Sequence, residues 1–237
     1  MAVFRPDDER LERATAFLRE LGVEPVADPM LAVSPTGTTP REDADYTILT
    51  SKTGVELAAD ADWNPGGQVC AIGDATAAAF REAGYRIDRV PEEFSSAGLV
   101  DELKNEVAGA RCEVARSDHG SPVLTDGFEQ AGAYVHETVL YELVRPPKAG
   151  ESAKLAAEGD LAGVLFTSSL TVENFLAAAD EQGIREAAAA GLNNAVVGAI
   201  GKPTRQTAER EGIAVDVVPQ TAAFEALARA VVGRLSE

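Results

Sequence analysis

The chain opens on a short apolar run, Ala2-Val3-Phe4, followed by Arg5-Pro6-Asp7-Asp8, a proline and acids suited to a helix N-terminus. Leu11, Ala14, Leu18 and Leu21 share one helical face, Gly22 stops that helix, and residues 23–27 read as the next strand. The same grammar recurs. Residues 46–50 predict a strand leading to Ser51 and a helix, and residues 69–72 a strand leading through Gly73 to a helix over 74–83. Gly84 closes that helix before a strand over 85–90. A helix over 97–107, a strand over 113–115, a helix ending near Ala131 and a strand over 135–139 follow. Residues 164–166, 195–200 and 214–218 complete the strands, each followed by a helix. Such alternation predicts an α/β fold of parallel sheets covered by helices on both faces.

The pattern repeats internally. Thr50-Ser51 with Val55-Glu56 matches Thr167-Ser168 with Val172-Glu173 at an offset of 117 residues. Ala71-Ile72-Gly73 with Thr76 matches Ala199-Ile200-Gly201 with Thr204 at an offset of 128. Val3 and Arg5 pair less strongly with Val114 and Arg116, Gly22 and Gly132 closing the helices that follow. Two similar lobes are therefore expected. Extended, proline-bounded segments at 29–35 and 139–147 occupy equivalent places in the repeat and read as crossings between the lobes. On that cut, residues 1–28 with 148–237 form one lobe and 36–138 the other, joined by a two-stranded linker; a contiguous split near 108 is the other cut that periodicity allows.

Composition narrows the partners. The 237 residues carry 39 acids against 21 bases, a formal charge of −18, with only 5 Lys beside 16 Arg. That surface repels nucleic acid and anionic membranes. Few Lys, many acids and many Ala match the proteins of a high-salt cytoplasm, where screening relieves self-repulsion. Two cysteines, Cys70 and Cys112, make neither a zinc spacing nor a disulfide framework, which points to a reducing, cytoplasmic setting. Neither a signal-peptide pattern nor a membrane-length apolar run is visible, and no large apolar face argues against a monomer.

The chemistry is first defined by what the sequence lacks. There is no dinucleotide fingerprint, Walker A loop, nucleophile elbow or metalloprotease helix. His119 and His136 with the two cysteines form no metal-ligand spacing, so neither metal nor cofactor is expected. His119 beside Asp118 reads as a solvated loop pair rather than an acid–base catalyst. What recurs is a hydroxyl residue or glycine where a strand gives way to a helix: Ser51, Gly73 to Thr76, Ser168, and Gly201 to Thr204. Each alone could be an ordinary N-cap. As matched pairs at the carboxyl edges of parallel sheets they predict a ligand crevice lined by free N–H groups, suited to a polycarboxylate. Arg5 and Arg116, at matching strand ends, add positive charge or serve as surface ion pairs.

The Arg5 strand end, Tyr46-Thr47-Ile48-Leu49-Thr50-Ser51, Ala71-Ile72-Gly73-Asp74-Ala75-Thr76-Ala77, Arg116, Val139-Leu140-Tyr141-Glu142, Phe166-Thr167-Ser168 and Ala199-Ile200-Gly201 with Thr204 stand in an order that resembles the uroporphyrinogen-III synthase family. The resemblance spans almost the whole chain. It implies a cofactor-free cyclising lyase of tetrapyrrole (porphyrin, heme) biosynthesis, closing hydroxymethylbilane, delivered by hydroxymethylbilane synthase, to uroporphyrinogen III with inversion of ring D and loss of water. It implies Tyr141 as a general acid, the other reading being a packed hinge tyrosine, and Ser51, Thr76, Ser168 and Thr204 as substrate contacts. Lys52 and Thr53 after Ser51, and Arg205 after Thr204, depart from the common family residues, and Lys52 and Arg205 are then placed to reach substrate carboxylates. A halophilic archaeal source fits the charge. A two-lobed, non-catalytic binding protein for a small anion would share the same architecture.

Overall fold

In the computed structural model, which describes residues 1–235, the chain divides into two compact units. Unit 1 comprises Met1–Ala32 with Val144–Glu237, of which the last two residues fall outside the described range, and unit 2 comprises Val33–Leu143. The strands are β1 (Ala2–Val3), β2 (Val26–Ala27), β3 (Ala32–Pro35), β4 (Tyr46–Leu49), β5 (Gln68–Ala71), β6 (Arg111–Ser117), β7 (Tyr134–Val144), β8 (Gly163–Phe166) and β9 (Val196–Ala199). The helices are α1 (Glu9–Glu20), α2 (Lys52–Asp60), α3 (Asp74–Glu82), α4 (Ser96–Leu103), α5 (Val123–Gln130), α6 (Glu151–Glu158), α7 (Ser169–Glu181), α8 (Arg185–Leu192), α9 (Lys202–Arg210) and α10 (Phe224–Leu235). No described helix is long and apolar enough to cross a membrane.

Unit 1 holds a sheet ordered β2-β1-β8-β9, and unit 2 one ordered β3-β7-β6-β4-β5. The central pairings are parallel in both. The repeat accounts for this shared order: β4 and β8 stand in register at the 117-residue offset, and β5 with α3 matches β9 with α9 at 128. β6 and β7 take the places of β1 and β2, with β3 added outside β7. Each sheet is buried between two apolar layers. In unit 1, Phe4, Phe166 and Phe175 pack on one face, while Leu18, Leu165 and Leu227 pack on the other. In unit 2, Leu49, Val55, Phe80 and Leu140 lie on one face, opposite Ile48, Leu103, Val114 and Phe128. Strands buried on both faces lose the apolar–polar alternation and read as the continuous runs seen in the sequence.

The structure differs from the expected elements at instructive points. Residues 85–90 and 214–218 form no strand, only single bridges, Cys70 with Arg89 and Gly198 with Val217. In both, an aspartate side chain takes the donor that a strand backbone would have taken: Asp88 accepts from Val69 N–H at 3.0 Å and Asp216 from Val197 N–H at 2.8 Å. Residues 23–27 shrink to the two-residue β2. The strand expected over 135–139 runs on without interruption as β7, through most of the segment read as a separate linker. Helices α6 and α8 were not foreseen. They approach so closely that a Cβ on Gly191 would stand 1.7 Å from the Ala156 carbonyl oxygen, a contact only glycine permits. Gly22, Gly84 and Gly132 do end their helices, at φ of 80°, 84° and 86°, in the left-handed region that favours glycine.

Candidate functional site

The registers place several candidate residues at one level within each unit. In unit 2, β4 pairs with β5 through Leu49 and Ala71 and with β6 through Leu49 and Ala115, which brings Ser51, Gly73 and Ser117 to the carboxyl edge together. β7 would place Leu140 opposite Ser117. A register shift after Arg116 puts Tyr141 there instead. Such a bulge re-aims a side chain. Tyr141 is buried in the apolar cluster that includes Leu49, Val55 and Leu140, and its hydroxyl donates to Ser51 Oγ at 3.0 Å. Ser51 also caps α2, its Oγ accepting from Gly54 N–H at 3.0 Å, so the tyrosine is pinned to a helix N-terminus.

Helix α3 begins at Gly73, which offers no side-chain cap, so its first-turn N–H groups have no side-chain partner. Thr76, in that turn, is 4% exposed, and its hydroxyl makes no hydrogen bond among the described residues. Lys52, at the start of α2, is exposed and pairs with Glu56 at 3.4 Å. Arg116 is buried and committed: Nε and Nη2 grip the Glu137 carboxylate at 2.7 and 2.9 Å, and Nη1 donates to the Ser121 carbonyl. Those hydrogen bonds hold Glu137 below the usual glutamate pKa against the opposing effect of burial. Its charge is thus matched locally, by a pair in which Arg116 is buried and Glu137 reaches the surface.

Unit 1 repeats the arrangement. β1 pairs with β8 through Val3 and Leu165, so continuing the register sets Arg5 level with Thr167, beside Ser168. Ser168 caps α7 through a reciprocal box with Thr171. Arg5 forms no ion pair among the described residues; its guanidinium lies 4.9 Å from the Phe224 ring centroid and its buried Nε has no hydrogen-bond partner. Burial, reinforced by the charge of Arg10, lowers its pKa. An unpaired cation here suits a carboxylate. Helix α9 starts at Gly201, again without a side-chain cap, and Thr204 is buried with its hydroxyl unpartnered among the described residues. Arg205 is exposed and bonded to Glu209 at 2.7 Å. A depression of about 730 Å³ beside this edge is lined by Ser169, Pro203, Gln206, Thr207, Glu209 and Arg210.

The two units thus assemble separate clusters, Ser51 with Tyr141, Gly73 and Thr76 in one and Arg5 with Ser168, Gly201 and Thr204 in the other, while Arg116, Lys52 and Arg205 are engaged by acids. His119 is bonded to Asp118 at 2.9 Å on the surface. Sequence reading missed a further pair: Glu113, fully buried, holds His136 Nδ1 at 2.7 Å, its second oxygen without a partner. The β6–β7 register, which sets Glu113 opposite His136, is the signal that would have revealed it. Among the described residues no group of His, Cys, Asp or Glu is arranged to hold a metal ion.

Comparison with known proteins points to one family. The family model "Uroporphyrinogen-III synthase HemD" matches residues 12–229. A protein of Methanothermobacter thermautotrophicus assigned to uroporphyrinogen-III synthase is 30% identical over 230 residues, covering 90% of each chain. Uroporphyrinogen-III synthase of Synechococcus elongatus is 31% identical over 179 residues, covering 68% of this chain and 67% of that one. Among solved structures, a mutant uroporphyrinogen III synthase of Thermus thermophilus superposes with a TM-score of 0.63 at 18% identity, covering 99% of both chains. The Helicobacter pylori uroporphyrinogen-III synthetase gives 0.62 at 15% identity, covering 89% of this chain and 92% of that one. These two share the fold. The extent of the family match and of the Methanothermobacter likeness places the chain in the uroporphyrinogen-III synthase family.

Proposed function

We propose that this chain is a cyclising lyase that converts hydroxymethylbilane to uroporphyrinogen III. The observation that carries the reading is the Tyr141 hydroxyl, held on Ser51 beside the uncapped start of α3, in a chain matched to the family over residues 12–229. Substrate carboxylates suit the N–H groups at the starts of α3 and α9, Arg5, and the hydroxyls of Thr76, Thr204, Ser51 and Ser168. Lys52 and Arg205 can exchange their acidic partners for substrate at small cost, because exposed ion pairs are weak. Arg116 contributes by fixing the β6–β7 edge through Glu137, next to the bulge that aims Tyr141.

In the reaction, Tyr141 donates a proton to the hydroxymethyl oxygen as the C–O bond breaks, and water leaves. The adjacent pyrrole nitrogen supplies the electron pair, giving an azafulvene. Ring D attacks through its substituted carbon, and the spiro intermediate fragments and recloses with the ring inverted. Loss of a ring proton restores the pyrrole, and the Tyr141 oxygen is the acceptor at hand. The selection between ring carbons is an effect of positioning. We infer further that the protein works as a cytoplasmic monomer receiving its substrate from hydroxymethylbilane synthase; the exposed large hydrophobics are Val33 on β3, Tyr134 and Val144 at opposite ends of β7, Val123 on α5 and Phe94 before α4. Coupling the two proteins and separating the oxidised porphyrin isomers tests the activity: isomer III supports it and isomer I alone defeats it.

A further inference from the structure

Phe94 stands outside both cores of unit 2. It is 58% exposed, makes none of the ring contacts found among the described residues, and joins neither apolar cluster of that unit. Yet its position is fixed. Pro91 before it is buried, Glu92 N–H donates to the Glu102 carboxylate at 2.8 Å, and Ser95 after it caps α4 through Gly98 N–H at 3.0 Å. Gly98 admits the turn, since a Cβ there would lie 2.2 Å from the Glu93 carbonyl oxygen. The base of the Phe94 side chain rests against Gly73, where a Cβ would meet Phe94 Cβ at 3.2 Å and Cγ at 3.5 Å. The backbone tethered on both sides and the contact with Gly73 hold the Phe94 ring in solvent at the start of α3.

Its neighbours say what it faces chemically. Gly73 opens α3 without a side-chain cap, and Thr76 in the same turn is 4% exposed with an unpartnered hydroxyl. A ring face beside anion-seeking N–H groups and a spare hydroxyl fits a flat aromatic ring bearing a carboxylate side chain. We propose that Phe94 stacks on one pyrrole of the linear substrate while the first turn of α3 and Thr76 hold that ring's carboxylate, making Phe94 a substrate-positioning residue. The inference rests on the function proposed above.

The test measures KM, kcat and porphyrin isomers in the coupled assay, with melting curves confirming that variants of this exposed side chain fold. Phe94→Ala is expected to raise KM about tenfold, as loss of a ring stack does. Phe94→Trp should keep the wild-type KM and Phe94→Leu should behave like the alanine variant, because leucine supplies area without a π face. Thr76→Val should raise KM too, and the double variant should cost less than the product of the single effects, since both hold one ring. Isomer III from the wild type with unchanged KM in Phe94→Ala, or a leucine variant as good as tryptophan, overturns the stacking alone. Isomer I alone from the wild type overturns the functional reading and the stacking with it.

Discussion

Replacing Tyr141 by phenylalanine removes one oxygen and leaves the ring in its buried apolar cluster. The lost bond is the 3.0 Å donation to Ser51 Oγ, which still accepts from Gly54 N–H, so the α2 cap survives. One net hydrogen bond contributes about 1 kcal/mol. In a chain of this size that lowers Tm by roughly 2–4 °C. If the hydroxyl is the proton donor to the leaving oxygen, the loss in turnover is far larger. A positioned general acid contributes about 10²-fold or more, so kcat is expected to fall about 100-fold with KM little changed. Ser51→Ala keeps the donor but loosens it, and costs about tenfold in kcat. The assay generates hydroxymethylbilane in situ and counts isomer I separately, so spontaneous closure does not mask the defect. A Tyr141→Phe enzyme with wild-type kcat refutes the assignment.

Three further outcomes are expected. His136→Ala removes the hydrogen-bond partner of the buried Glu113 carboxylate, costing on the order of 2 kcal/mol, seen as a lower Tm; adding Glu113→Met should recover most of it, and an unchanged Tm in the single variant contradicts the pairing. Glu137 titrates below its ordinary 4.5 because Arg116 hydrogen-bonds it, so its contribution is full above that value and lost as pH falls through the lower folded-state pKa. The Tm deficit of Glu137→Gln should therefore be present at neutral pH and vanish in acid; a deficit that grows in acid has the wrong sign. The charge of −18 predicts a Tm that rises from low to molar salt, and equal stability throughout contradicts the high-salt reading.

The repeat was legible because a polar residue or glycine must stand wherever a buried strand meets a helix, and Ser51 with Ser168 and Gly73 with Gly201 mark those joints without reference to anything distant. The helix-ending glycines Gly22, Gly84 and Gly132 were legible for the same local reason. What escaped is set by neighbours across the sheet. Asp88 and Asp216 replace strand backbone with a carboxylate, which a run of strand-forming residues conceals. The shift after Arg116 turns Tyr141 toward Ser51, and nothing in β7 alone announces a bulge in its partner register. Sequence left Arg116 open between ligand charge and ion pair, and Glu137, two residues down the neighbouring register, decides for the pair. Helices α6 and α8 are rich in alanine, so their apolar faces contrast weakly with the rest, and Gly191 lets them touch.

The most direct measurement is the isomer composition of the porphyrin formed when the wild-type protein is added to hydroxymethylbilane made in situ. The account predicts predominantly isomer III, at a rate above spontaneous closure. Isomer I alone, indistinguishable from the reaction without the protein, contradicts it.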